Sequence, residues 1–218
     1  MTSINMLGCV FAAAMAVCGV AQAGLVTNGS FESTAVAGTW QQLSAVEGWH
    51  SSGSGNTAFE IQKGALQGGQ GGFNPLAADG RQYAELNANA LTSIWQFIDT
   101  SQQGRYSLSF AYSGRPDTAN GAVSSMNVYW GDLKLNQSVL TGNTGGTWSV
   151  FSARDLLSAG ATTKLRFESL GPLSSPTYGS YLDAVSVAVS AVLEPGTVGI
   201  FLLGLAMLGF AGKRKHTV

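Results

Sequence analysis

The run Tyr106-Ser107-Leu108-Ser109-Phe110-Ala111-Tyr112 alternates large and small residues without a fault. A period of two puts every large side chain on one face, which a strand can bury and a helix cannot. Met126, Val128 and Trp130 form a second stripe. Leu165 and Phe167 alternate with Lys164, Arg166 and Glu168, the pattern of a half-exposed strand, and Val185, Val187 and Val189 form a last one. Ile94 to Ile98 is apolar at every position but Gln96, which predicts a strand buried on both faces. Glycine- and serine-rich clusters at 51–56, 68–75, 114–121, 142–146 and 171–179 punctuate these runs as turns. Helical periodicity is weak; Arg154 to Leu157 predicts one turn at most. Many short strands at such spacing predict an all-β antiparallel sandwich. Its predicted core holds Leu108, Phe110, Val128, Phe167, Val185 and Val187, with Trp95 and Trp130.

Residues 24–190 carry 11 acidic and 8 basic side chains. That slight acidity speaks against nucleic acid or an anionic membrane as a general partner. Charged residues are only 11% of the chain and glycine is abundant at 29 residues, as suits an exported, turn-rich β protein. Both cysteines, Cys9 and Cys18, lie near the N-terminus.

The two ends differ from the middle. Met6 to Val20 is small and apolar, and Ala21-Gln22-Ala23 has the small-x-small form of a cleavage site. Residues 1–23 therefore read as a signal peptide, with the mature chain starting at Gly24, although no Lys or Arg precedes the apolar run. Removal of that segment takes both cysteines with it and excludes disulfides and thiolate metal sites from the remainder. At the other end, residues 191–218 hold Leu193-Glu194-Pro195-Gly196-Thr197, then a glycine-laced apolar run, then Lys213-Arg214-Lys215. The 18 uncharged residues between Glu194 and Lys213 barely span a ~30 Å hydrocarbon core as a helix. The basic cluster would hold the cytoplasmic side. This order resembles the PEP-CTERM sorting signal of Gram-negative bacteria, with Leu193 where the first proline of that motif stands. The resemblance implies an exported protein that passes through the inner membrane to the cell surface or medium, with an exosortase-like enzyme as partner. Between the ends, residues 24–190 read as one domain.

That domain opens with Leu25-Val26-Thr27-Asn28-Gly29-Ser30-Phe31-Glu32, later has Gly48-Trp49 and Asp79-Gly80-Arg81-Gln82-Tyr83-Ala84-Glu85-Leu86-Asn87, and closes with Tyr181-Leu182-Asp183-Ala184-Val185-Ser186-Val187. The series resembles galactose-binding-like jelly rolls of exported proteins, including the DUF642 and choice-of-anchor groups and several carbohydrate-binding modules. The resemblance implies a two-sheet jelly roll and, in many members, a structural calcium ion. Strand parity with Val185 and Val187 points Asp183 toward the buried face, where a carboxylate is costly unless paired or coordinated. Glu32 ends the opening segment, which a jelly roll brings beside the closing strand. Glu32 and Asp183, with oxygens from Thr27 and Asn28, are thus the candidate ligands for Ca²⁺, which takes about six to eight oxygens. The alternative is that Asp183 accepts backbone N–H bonds or pairs with an arginine, and that Glu32 is solvated.

Sugar binding needs exposed aromatic faces beside polar groups. Trp40 among Thr39, Gln41 and Gln42, Trp49 before His50, and Tyr178 in a Pro/Ser/Gly loop are the candidates; each could equally pack inside. No catalytic signature is complete. His50 is the only histidine before the tail, no Gly-x-Ser-x-Gly elbow occurs, and the 68–72 glycines lack the Gly-Lys-Ser/Thr ending of a phosphate loop. Glu47, Glu60, Glu85 and Asp99 could pair for glycoside hydrolysis only if the fold brings them together. The sequence favours a non-catalytic surface or matrix protein that binds polysaccharide, over a structural or adhesive envelope protein without glycan, and over a small hydrolase.

Overall fold

A computed structural model describes residues 24–63, 67–68, 72–73, 76–102, 104–115, 124–142, 146–171 and 177–190. The predicted signal peptide and the sorting segment lie outside them. Strands run in chain order as β1 (Trp40–Leu43), β2 (His50–Ser51), β3 (Phe59–Lys63), β4 (Gln67–Gly68), β5 (Gly72–Phe73), β6 (Gln82–Glu85) and β7 (Ser93–Asp99). There follow β8 (Arg105–Ser113), β9 (Ser125–Trp130), β10 (Leu133–Lys134), β11 (Leu140–Thr141), β12 (Ser149–Leu157), β13 (Thr162–Ser169) and β14 (Tyr181–Ser190). A six-stranded sheet has the order β1-β3-β6-β14-β8-β12, and a second has β10-β9-β13-β7-β2 with β11 beside β9. All pairs are antiparallel, and β4–β5 form a small separate ladder. The two main sheets pack face to face as a jelly-roll sandwich, as the alternation predicts.

The core between the sheets contains Leu108, Phe110, Val128, Trp130, Phe167, Val185 and Val187, all buried. Phe110 meets Phe167 edge-on at 4.9 Å between centroids and stacks on Phe151 at 5.0 Å. Arg154 to Leu157 is strand, not a helical turn. Asp155 at φ 59° makes a bulge in β12, so that Ala153 and Leu156 both face inward.

Strand β7 departs from expectation in a telling way. Ile94, Gln96 and Ile98 are the buried set, while Trp95 is half-exposed and Phe97 is 55% exposed on the outer face. Gln96 points inward because its amide serves as a strand partner. Its Oε1 accepts from the Thr27 N–H at 2.7 Å and its Nε2 donates to the Thr27 carbonyl at 2.9 Å. A doubly bonded amide is tolerated in a core, and the strict period of two then sends Trp95 to the surface.

Strand β14 pairs with β6 only at Tyr181 and Leu182. Beyond that point the opening segment takes over, with Val185 N–H donating to the Gly29 carbonyl and Leu25 N–H to the Val187 carbonyl, both at 3.0 Å. A side chain at residue 29 would collide with the Val185 carbonyl, which requires glycine there. The first and last segments of the domain are thereby side by side.

Because Phe110 joins both sheets through aromatic contacts, Phe110→Ala is expected to lower stability by about 3–5 kcal/mol. Urea denaturation of the variant beside the wild type checks this; a loss under about 1 kcal/mol would contradict the packing described.

Candidate functional site

The outer face of the six-stranded sheet gathers polar side chains because β3 and β6 alternate. Phe59, Ile61 and Ala84 turn inward; Glu60, Gln62, Tyr83 and Glu85 turn outward. Cross-strand register sets Gln42, Glu60, Glu85 and Tyr181 in one row, and Trp40, Gln62 and Tyr83 in the next. Gln62 bridges the two acids, its Nε2 lying 2.7 Å from Glu60 Oε1 and 2.8 Å from Glu85 Oε2. Gln42 Nε2 donates to Glu60 Oε2 at 3.3 Å and to the Ala88 carbonyl at 2.9 Å. Glu85 Oε1 takes the Arg115 guanidinium at 2.8 Å and the Gly179 N–H at 3.1 Å. Burial pushes the Glu60 carboxyl up, and pushes Glu85 well up with the Glu60 charge adding to it. Arg115 opposes the rise at both. Two acids placed directly opposite hold a proton to a higher pH than a lone carboxyl would.

Beside the acids lies an aromatic cluster. Tyr83 meets Tyr181 at 4.9 Å and Trp148 at 5.3 Å, and Trp148 Nε1 donates to the Leu76 carbonyl at 2.6 Å. The Tyr83 and Ser180 hydroxyls are buried without a hydrogen-bond partner among the described residues. Farther along the same face, β8, β12 and β14 present Ser107, Ser109, Ser152, Arg154, Ser186 and Ser190 around an open groove of about 400 Å³. Small hydroxyl side chains leave this trough because the large residues of the same strands turn inward.

Of the aromatic candidates, Trp40 is 53% exposed on edge strand β1, on this same face. Tyr178 is half-buried, with the Arg115 guanidinium 4.5 Å from its ring centre, at the Glu85 end of the cluster. Trp49 is not a sugar platform. It is buried, stacks on Phe31 at 5.2 Å, and donates from Nε1 to the Asn28 carbonyl at 3.0 Å. The Gly48-Trp49 pair wraps the opening segment instead.

Asp183 is buried, but not toward the core as parity with Val185 predicts. Ala184 at φ 50° makes a bulge in β14, so Leu182 and Val185 both turn inward and Asp183 faces out beneath residues 78–79. Its Oδ2 accepts the Ala78 and Asp79 N–H groups at 2.7 and 3.0 Å, and its Oδ1 the Ala184 N–H at 2.7 Å. Burial pushes its carboxyl up to about 7 and the Asp79 charge adds to this, against the three N–H bonds. Glu32 grips the other end of the same turn, its Oε1 accepting from the Arg81 and Gln82 N–H groups, both at 2.6 Å. The fold thus brings the Glu32 and Asp183 carboxyls to one turn. It directs Thr27 to Gln96, and Asn28 to Ser33, Glu47 and Trp49. Among the described residues no three acidic, histidine or cysteine side chains form a metal-holding group. Both Asp183 oxygens and Glu32 Oε1 already accept backbone N–H groups, the alternative the sequence left open for Asp183, so a calcium ion here would have to share these two carboxyls with them.

The Glu60–Glu85 pair is the part that sequence could not assemble, since 25 positions separate acids that two strands set face to face. Glu47 and Asp99 lie elsewhere, Asp99 accepting from Ser101 at the end of β7.

The sandwich is similar in fold to a solved carbohydrate-binding module. TmCBM61, solved in complex with β-1,4-galactotriose, superposes with a TM-score of 0.50 at 12% identity, covering 78% of this chain and all of that one. Family 35 modules are also similar. That from Clostridium thermocellum has a TM-score of 0.42 at 15% identity, covering 70% of this chain and 100% of its own. That from Paenibacillus barcinonensis has 0.40 at 19%, with the same coverage. Residues 194–215 match the PEP-CTERM protein-sorting motif, so Glu194, Pro195, Gly196, Lys213, Arg214 and Lys215 belong to it, outside the described residues. No curated protein matches the chain.

Asp183 sets a pH dependence. Its folded value of about 7 lies above the ordinary 3.8, so the folded chain keeps a proton that the unfolded chain releases between those limits. In calcium-free solution that stabilisation is complete below the lower value and is lost as pH rises through the upper. Urea midpoints with chelator should therefore fall across this window. Asp183→Asn should flatten the slope, leaving the share of the Glu60–Glu85 pair; an unchanged slope would contradict the assignment.

Proposed function

We propose that this chain is an exported, non-catalytic polysaccharide-binding protein of the Gram-negative cell surface or matrix, delivered by its sorting signal to an exosortase-like enzyme. The observation that carries this reading is the outer face of the six-stranded sheet. There an exposed Trp40 adjoins amides and carboxyls, and a serine-lined groove opens on the same face. The apolar face of a pyranose ring stacks on an indole, and its hydroxyl rim bonds to amides and hydroxyls.

The acid pair supports binding over hydrolysis. Glu60 and Glu85 direct all four carboxyl oxygens at protein donors: Gln62, Gln42, Arg115 and Gly179. A general acid or nucleophile needs an oxygen within reach of the substrate. The pair instead braces the face that Trp40 borders.

Calcium is part of the proposal as a structural tie at Glu32 and Asp183. It would hold the ionised form of Asp183, and so reverse the pH trend that chelator reveals. At a hundredfold excess over Kd it would add about 2.7 kcal/mol.

Affinity electrophoresis through gels cast with neutral and acidic polysaccharides tests the main reading. Retardation by a neutral β-1,4-galactan or a related polymer is expected, with Trp40→Ala weakening it about tenfold or more. Retention by no neutral polysaccharide, or neutral-polymer retention indifferent to Trp40→Ala and Arg154→Ala together, would contradict it.

A further inference from the structure

The outer face of the five-stranded sheet is built on a different plan. Register aligns one residue from each strand in a straight row: His50 on β2, Trp95 on β7, Arg166 on β13, Tyr129 on β9 and Lys134 on β10. At the usual strand spacing the row is about 19 Å long. Rings and cations share it. His50 stacks on Trp95 at 5.7 Å with 16° between the planes, and the Arg166 guanidinium lies 3.9 Å from the Tyr129 ring centre. In the adjoining row Lys164 pairs with Phe97, and its Nζ sits 4.2 Å from the Trp95 ring centre. Phe97 is more than half exposed, and His50 packs against it at 5.8 Å.

Cations outnumber carboxylates on this face. Glu168 touches the row and is already engaged by Arg166 at 2.9 Å and by the Tyr129 hydroxyl at 2.8 Å, while Asp99 lies one step beyond Phe97 at the end of β7 and accepts from Ser101. Lys134 and Lys164 have no ion-pair partner among the described residues. An exposed aromatic strip that carries uncompensated cations, on a domain with more acidic than basic residues, is a local inversion of the protein's charge.

We propose that this row is a second binding surface, taking an acidic polysaccharide whose chain lies across the strands. Each strand step is comparable with the length of one sugar residue, so the row accommodates about four. Sugar faces stack on Trp95, Tyr129 and Phe97, while the carboxylates of uronate-type residues meet Arg166, Lys164 and Lys134. The occupant is an acidic glycan rather than a nucleic acid because the cations are few and interleaved with rings, Arg166 and Lys164 in the middle of the strip and Lys134 at its end. A nucleic-acid strand needs a continuous basic track for its phosphates, which three separated cations do not make. The surface lies on the opposite side of the sandwich from Trp40. A molecule that used both faces would join two polysaccharide chains.

The test is affinity electrophoresis of the full-length protein in gels containing polygalacturonate, neutral β-1,4-galactan or single-stranded DNA. Polygalacturonate is expected to retard the protein, and the apparent Kd should rise steeply as salt is added. Lys134→Gln with Lys164→Gln, which leaves every ring in place, should raise that Kd about tenfold or more, as should Trp95→Ala. Trp40→Ala should leave it unchanged. The inference is overturned if polygalacturonate gives no retardation, if the double lysine variant binds it as the wild type does, or if single-stranded DNA is retained equally well.

Discussion

The buried carboxylate of Asp183 is the constraint on which the rest of the sandwich depends. A carboxylate without solvent costs several kcal/mol unless its oxygens are satisfied, and three backbone N–H groups satisfy this one. That arrangement requires the bulge at Ala184, which turns Asp183 outward while Leu182 and Val185 both stay in the core. It also fixes residues 78–79 over the sheet, and Glu32 holds residues 81–82 behind them. Glycine is required at position 80 in this turn, because the backbone takes φ +72° and a side chain there would strike the Glu32 carboxyl. With the 76–82 segment held down and Trp148 tied to Leu76, the middle of the outer face is closed. What stays open is the Trp40 edge on one side and the serine groove on the other.

The two outer faces of the sandwich use polar groups in opposite ways. On the six-stranded sheet the charges are inward-looking: Glu60, Glu85, Gln62 and Arg115 satisfy one another in low dielectric, where a missing partner is expensive. Such a network fixes side-chain positions and so shapes a surface. On the five-stranded sheet the charges lie in water beside aromatic rings, where each contact contributes little and the side chains can exchange partners. The first arrangement suits a shaped cleft, the second a flat strip that holds a charged polymer by repetition.

Much of the fold was legible because strand periodicity is a local property. The stripe from Tyr106 to Phe110, the core roles of Val128, Phe167 and Val187, and the half-exposed pattern of β13 follow from the alternation of two. Where the reading failed, a non-local partner had changed the local rule. Gln96 is inside because Thr27, 69 positions away, gives its amide two hydrogen bonds, and Trp95 is consequently outside. Trp49, for which the sequence left both readings open, is inside because its indole N–H reaches Asn28 in the opening segment. Bulges at Asp155 and Ala184 break parity at single residues in the unusual φ > 0 region, which sequence periodicity does not register. Of the site, the approach of Glu32 to Asp183 was foreseeable from order along the chain, and Trp40 takes the exposed one of its two readings. The pairing of Glu60 with Glu85 was not, since it depends on register between β3 and β6.

Hydrogen–deuterium exchange of the full-length protein, alone and with a polysaccharide it retains, tests the central claim most directly. The edge strands β1 and β12 border the open parts of the six-stranded sheet, each with a strand partner on one side only among the described residues. Slowed exchange is expected in Trp40–Leu43 and Ser149–Leu157 on addition of a neutral polysaccharide, with the buried pair Leu108 and Val187 unaffected. Protection confined to the small β4–β5 ladder, or no change in either edge strand while polysaccharide is demonstrably bound, would contradict it.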